Sequence, residues 1–121
     1  MGMVLTCPRE ALPGEAAAFL IVDYELRVTA VSEGGERYFG AEHELIGRRL
    51  LDLVTSPLGA DQLARNAGIA AQRACDPLVM PVRLVSREAE RVGTLAARIA
   101  TCGPPRAALI TVEPSEFGRR G

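Results

Sequence analysis

The sequence predicts an α+β domain, on three observations. Between Ala18 and Ser32, two short apolar runs are separated by a tight polar turn, which is hairpin punctuation between strands. Between Ala60 and Cys75, apolar residues recur at helical spacing over the longest such stretch in the chain. From Leu78 to Glu113, three runs alternate apolar with polar positions, the period of a strand.

In chain order, Ala18–Asp23 is predicted as the first strand and Arg27–Ser32 as the second. Ser32 then reads as a helix start, because its hydroxyl can accept from backbone N–H groups that the first helical turn leaves unpaired. Glu33–Phe39 follows, with Gly34 and Gly35 each costing up to ~1 kcal/mol of helix propensity, so the helix is short or 3₁₀-like. Gly40 suits a left-handed cap. Glu42–Ile46 makes another helical turn, stopped by Gly47, and Arg48–Val54 an amphipathic segment that Ser56-Pro57 ends. The long helix, Ala60–Cys75, presents Leu63, Ala67, Ala70, Ala71 and Ala74 on one face. An alanine face permits close approach to a sheet or leaves room for a ligand. Leu78–Ser86, Val92–Cys102 and Ala107–Glu113 are the last three strands, with Leu95, Ala97 and Ile99 on the apolar side of the second of them. Pro81 cannot donate to a ladder, so its strand is expected to expose an edge there.

Composition removes several function classes. The 121 residues fit one domain with a real core, residues 18–114, between a flank at 1–17 and a polar tail at 115–121. Aromatic residues make up only 4% and tryptophan is absent, so aliphatic side chains must fill that core. A formal net charge of −1 gives no electrostatic pull toward nucleic acid. No run approaches the roughly 20 apolar residues that cross a bilayer, and with no export signal the expected location is the cytoplasm. Cys7, Cys75 and Cys102 are dispersed and the single histidine is His43; a structural zinc site wants four ligands in close pairs, so no metal is predicted. The cysteines are expected as free thiols. Asp52, Glu42 and Glu44 have no evident catalytic partner, and Gly34-Gly35 is not followed by the Gly-Lys-Ser/Thr of a phosphate loop, so an enzyme is not predicted.

The stretch SEGGERYFG resembles the N-x-A-A-E-x-L-x-G of PAS domains, with Glu36, Phe39 and Gly40 aligned. ELIG, Glu44–Gly47, followed by RRLLDLVTSP resembles that family's E-L-I-G-R-x-L-x-D-L segment, and Asp23 stands where the family often ends its first strand. The resemblance covers about residues 18–114. It implies a five-stranded antiparallel sheet with short helices and one longer helix packed on one face. It also implies a sensory or dimerisation module of a cytoplasmic signalling protein such as a histidine kinase, transcription regulator or phosphatase. The chain departs from the pattern in places. The family's asparagine after the second strand is Ser32, charged residues 87–91 replace an Asp-Gly hairpin, and Glu113-Pro114-Ser115 stands where an Asp-Ile-Thr signature would lead to an output helix.

The resemblance also bears on cofactors. Haem-binding members use a histidine on the long helix, which has none here, and His43 falls among glutamates on a short helix. Flavin photoreceptors need a cysteine after the position of Gly47, where this chain has RRLLDLV. Cys75 lacks the motif that surrounds the chromophore-bearing cysteine of yellow photoreceptors. Haem and covalent flavin are thus predicted absent, and any ligand is expected to be small and apolar. Its candidate wall is Leu63, Ala67, Ala70, Met80, Val82, Leu95 and Ala97. The sheet face without helices is expected to carry Ala96, Ala100, Ala108, Ile110 and Val112, with Leu5, Leu12 and Phe19 lying across it. Such a face needs cover, so a homodimer formed there is the expected partner, beside a signalling effector in cis or trans. The competing expectation is a ligand-free interaction domain with a closed core.

Overall fold

The computed structural model describes residues 18–73, 76–85, 92–103 and 106–114. β1 (Ala18–Val22) and β2 (Val28–Val31) form the first hairpin. α1 (Glu33–Phe39), α2 (Glu42–Leu45) and a 3₁₀ turn (Leu50–Asp52) follow. Next come β3 (Val54–Thr55), the 13-residue α3 (Ala60–Gln72), and β4 (Leu78–Leu84), β5 (Thr94–Cys102) and β6 (Ala107–Pro114). The strands make one antiparallel sheet in the order β2-β1-β6-β5-β4-β3.

The sheet has six strands where five were expected, and β3 is the addition. The sequence predicts Arg48–Val54 as one amphipathic segment. Only Leu50–Asp52 is helical, and Val54 and Thr55 pair with Leu84 and Arg83 of β4. Two residues are too few for alternation to be visible in sequence. β3 stops before Pro81, so the proline sits where its missing N–H has no partner to serve. The Pro81 carbonyl instead accepts from Ser56 Oγ at 2.7 Å.

Local chemistry sets the first half of the chain. Asp23 Oδ1 accepts from the backbone N–H of Glu25 (2.9 Å) and of Arg27 (3.0 Å), closing the β1–β2 turn. Ser32 caps α1, and its Oγ accepts both the Gly35 N–H at 2.9 Å and the Phe19 N–H at 2.8 Å, which ties the helix start to β1. Gly40 ends α1 with φ 116° and its N–H on the Glu36 carbonyl; ψ of 178° makes it an extended exit rather than the expected left-handed cap. Glu36 Oε2 accepts from the Glu42 N–H at 2.7 Å, and Glu42 Oε2 from the Val31 N–H at 2.8 Å. Glu36 and Glu42 therefore serve as backbone acceptors that fasten α1 to α2 and α2 to β2.

The core lies on one sheet face. Leu20 and Val22 of β1, Met80, Val82 and Leu84 of β4, Leu95, Ala97 and Ile99 of β5, and Ala108, Ile110 and Val112 of β6 are buried with Leu63, Ala67, Ala70 and Ala71 of α3. The stripe Leu95, Ala97, Ile99 thus faces the helices as expected. Ala108, Ile110 and Val112 do so too, which corrects their assignment to the uncovered face. Register decides it: Ile110 is opposite Ile99 on one side and Leu20 on the other, and Val112 is opposite Ala97. Ala107–Ile110 is apolar at every position, so alternation carries no sign there.

The other face carries Ile21, Ala100, Cys102, Ala107 and Leu109, flanked by Phe19 and Ala30. Ala100 and Phe19 lie there as expected, and Ala96 lies on the same side by its pairing with Pro81 and Glu113. Cys102 is fully buried and disulfide-bonded, which corrects the expectation of a free thiol. Cys7, Cys75, Leu5 and Leu12 lie outside the described residues.

Candidate functional site

α3 crosses β5 and β6, and its inward face brings the proposed wall together. Leu63, Ala67 and Ala70 come from the helix, Met80 and Val82 from β4, Leu95 and Ala97 from β5, all in one buried cluster. The sequence dictates this: helical spacing aligns 63, 67 and 70, while the strand period aligns 80 with 82 and 95 with 97. In the ladder Met80 sits opposite Ala97 and Val82 opposite Leu95. The small alanines let the helix approach closely, and the seven side chains are between 0 and 3% exposed. The wall is thus closed to solvent, and a guest would enter by lifting α3 or spreading the side chains.

The helix is held by polar contacts that sequence reasoning missed. Asn66 Nδ2 donates to Met80 Sδ at 3.3 Å, and Gln62 Nε2 donates to Asn66 Oδ1 at 3.1 Å. The signal for the second was present, because Gln62 and Asn66 are four apart on a helix. Before α3, Ser56 joins the Leu58 N–H (3.1 Å) to the Pro81 carbonyl. After it, Thr101 Oγ1 donates to the Arg73 carbonyl at 2.9 Å, and Arg106 Nη1 donates to the Gln72 carbonyl. A guanidinium at a helix C-terminus also meets the negative end of the helix dipole. α3 is thus clipped at both ends and along one flank, while its buried residues, Leu63, Ala67, Ala70 and Ala71, are all apolar.

The arrangement can exclude water and hold an apolar molecule; it offers no nucleophile with a base. Among the described residues no group of three or more His, Cys, Asp or Glu is placed to hold a metal ion. His43 is exposed on α2, away from the wall. No helix of the described residues is long and apolar enough to cross a membrane.

No protein-family model matches the sequence, and no curated protein does. Solved structures do. The PAS domain of the RpfR quorum-sensing receptor from Cronobacter turicensis, in complex with C12:0, aligns at 20% identity and a TM-score of 0.58 over 84% of this chain and 94% of that one. The same receptor domain in complex with BDSF aligns at 16% identity and 0.58, over 85% and 97%. The PAS domain of nitrogen regulation protein NR(II) from Vibrio parahaemolyticus aligns at 15% identity and 0.61, over 89% and 99%. Strand order, the helices on one face and near-complete coverage of each neighbouring domain agree: this chain has the PAS-domain fold.

Proposed function

We propose that this domain is a sensory input module of a signalling protein, and that its guest is a small apolar molecule held between α3 and strands β4 and β5. The observation that carries the reading is the all-apolar wall of Leu63, Ala67, Ala70, Met80, Val82, Leu95 and Ala97 under an alanine-faced helix. Met80 adds to it, since a thioether can reshape around a guest. Two neighbours of the same fold support the apolar class, being complexes with C12:0 and with BDSF. The reading assigns binding to the domain and no catalytic step.

A second reading, a ligand-free interaction domain, is favoured by one observation: the wall residues are already closed against solvent. Dodecanoic acid as probe separates the two. A ligand that binds only the folded state raises the unfolding midpoint, by about 2.7 kcal/mol of stability at a hundredfold excess over Kd. The sensory reading expects that rise in the wild type and its loss in Ala67→Leu, whose added carbons crowd the contact between α3 and the sheet that a guest must open. Overpacking should itself lower the variant's stability by about 1–3 kcal/mol. No rise in the wild type favours the closed core, and an equal rise in the variant moves the site away from α3.

A further inference from the structure

The sheet face away from α3 is closed, and no described helix closes it. Ile21, Ala100, Cys102, Ala107 and Leu109 form an apolar cluster there, between 0 and 8% exposed. The helices put their buried side chains, Leu45, Leu63, Ala67, Ala70 and Ala71, into the core on the other face. The closure is also local. Val79, Arg83 and Arg98 point to the same face as Cys102 and are exposed, so the cover lies over β1, β6 and the end of β5 but not over β4.

Composition and connection choose the cover. Residues 86–91 are spent joining β4 to β5 at the far end of the sheet, and 115–121 hold Phe117 as their only apolar side chain beside Glu116, Arg119 and Arg120. Residues 1–17 lead directly into β1 and carry Met1, Met3, Val4, Leu5 and Leu12. A covalent bond supplies the anchor. Cys102 lies in the closed cluster and is disulfide-bonded, and the other cysteines of the chain are Cys7 and Cys75. Cys75 follows α3, whose C-cap residue Arg73 accepts through its carbonyl from Thr101 Oγ1. Thr101 shares the parity of Leu95, Ala97 and Ile99, so that contact is on the helix-covered face, and Cys102 points the other way. Cys7 has the reach. Ala18 stands two strands across and five residues along from Cys102, about 20 Å at strand spacings, and the chain from Cys7 to Ala18 extends to about 36 Å.

We propose that residues 1–17 of the same chain lie across this face and that a Cys7–Cys102 disulfide latches them there. The latch is reversible. A dithiol reductant gives up two electrons and two protons, becomes a disulfide itself, and leaves Cys7 and Cys102 as thiols. The segment is then held only by its apolar contacts, and the face is free to open. Where thiols are kept reduced such bonds form transiently, which suits a switch rather than a permanent staple. None of this depends on a guest under α3.

The test is disulfide mapping of the full chain, followed by amide-resolved NMR with and without dithiothreitol. Trypsin puts the three cysteines on separate peptides, because Arg9, Arg73, Arg83, Arg98 and Arg106 divide them. The intact mass without reductant should be that of one chain. After digestion, peptide 1–9 should be joined to 99–106 in the wild type and in Cys75→Ser, and not in Cys7→Ser. Dithiothreitol is expected to shift the amides of Phe19 and Ile21, two strands from Cys102, and to leave Val82 and Leu95 in the core unmoved. A link between 74–83 and 99–106, a link between two chains, or three thiols open to alkylation would each overturn the proposal. So would a reduction that moves only amides beside Cys102, or one that collapses the whole spectrum.

Discussion

Replacing Ile110 by lysine is expected to leave the chain unfolded at room temperature rather than to change its oligomeric state. Ile110 lies at the centre of the sheet, opposite Ile99 and Leu20, with its side chain 2% exposed in the helix-covered core. An ammonium there meets no buried carboxylate, since Ser56 is the only buried polar residue among the described residues. Leaving a buried charge without a partner costs several kcal/mol, and a domain of this size has only about 5–15 kcal/mol in total. Circular dichroism and amide dispersion should both collapse. A folded Ile110→Lys protein that had merely changed from dimer to monomer would return Ile110 to the outer face and contradict the register.

Gly35→Ala should have the next largest effect, although it adds a single carbon. A Cβ at Gly35 would stand 2.6 Å from the Phe19 carbonyl oxygen, 3.0 Å from Val31 Cγ1 and 3.2 Å from Ser32 Oγ. The first of these is backbone of β1 and cannot rotate away. α1 would have to lift from the sheet, stretching the Ser32 bonds to Gly35 and Phe19. Helix propensity alone favours alanine by up to ~1 kcal/mol, so the sign of the measured change decides which effect wins. Overpacking of this kind costs about 1–3 kcal/mol, which lowers the midpoint of thermal unfolding by roughly 5–20 °C. Gly68→Ala on α3 is the comparison, since a Cβ at Gly68 would meet nothing within 4 Å. A Gly35→Ala protein as stable as the wild type would mean that α1 does not rest on β1 as described.

These two positions also mark how far the sequence could be read. The order of elements and most of their limits were legible, because the strands alternate and the helices carry punctuation at Ser32, Gly40, Gly47 and Pro57. That Met80, Val82, Leu95 and Ala97 share one buried face was legible for the same reason: β4 and β5 each have one clean apolar stripe. β6 was not, since a strand buried on both sides has no stripe, and its parity follows only from pairing. The glycine at 35 looked like a cost to α1, and its purpose, the close approach to Phe19, is a contact between elements that no local pattern encodes. The same holds for the roles of Glu36 and Glu42 as backbone acceptors, and for Asn66, whose partner Met80 lies 14 residues away. Cys102 was misread because sequence spacing alone says nothing about which cysteines pair.

The central claim, that a small apolar guest enters between α3 and the sheet, is most directly tested by native mass spectrometry of the purified wild-type chain. The spectrum should show protein carrying a small molecule that is released on unfolding and identified as apolar. The bound fraction should rise when dodecanoic acid is added and stay low in Ala67→Leu. The same spectrum reports how many chains travel together. A wild-type spectrum at the bare chain mass, unchanged by dodecanoic acid at saturating concentration, would contradict the account and leave the closed-core interaction domain in its place.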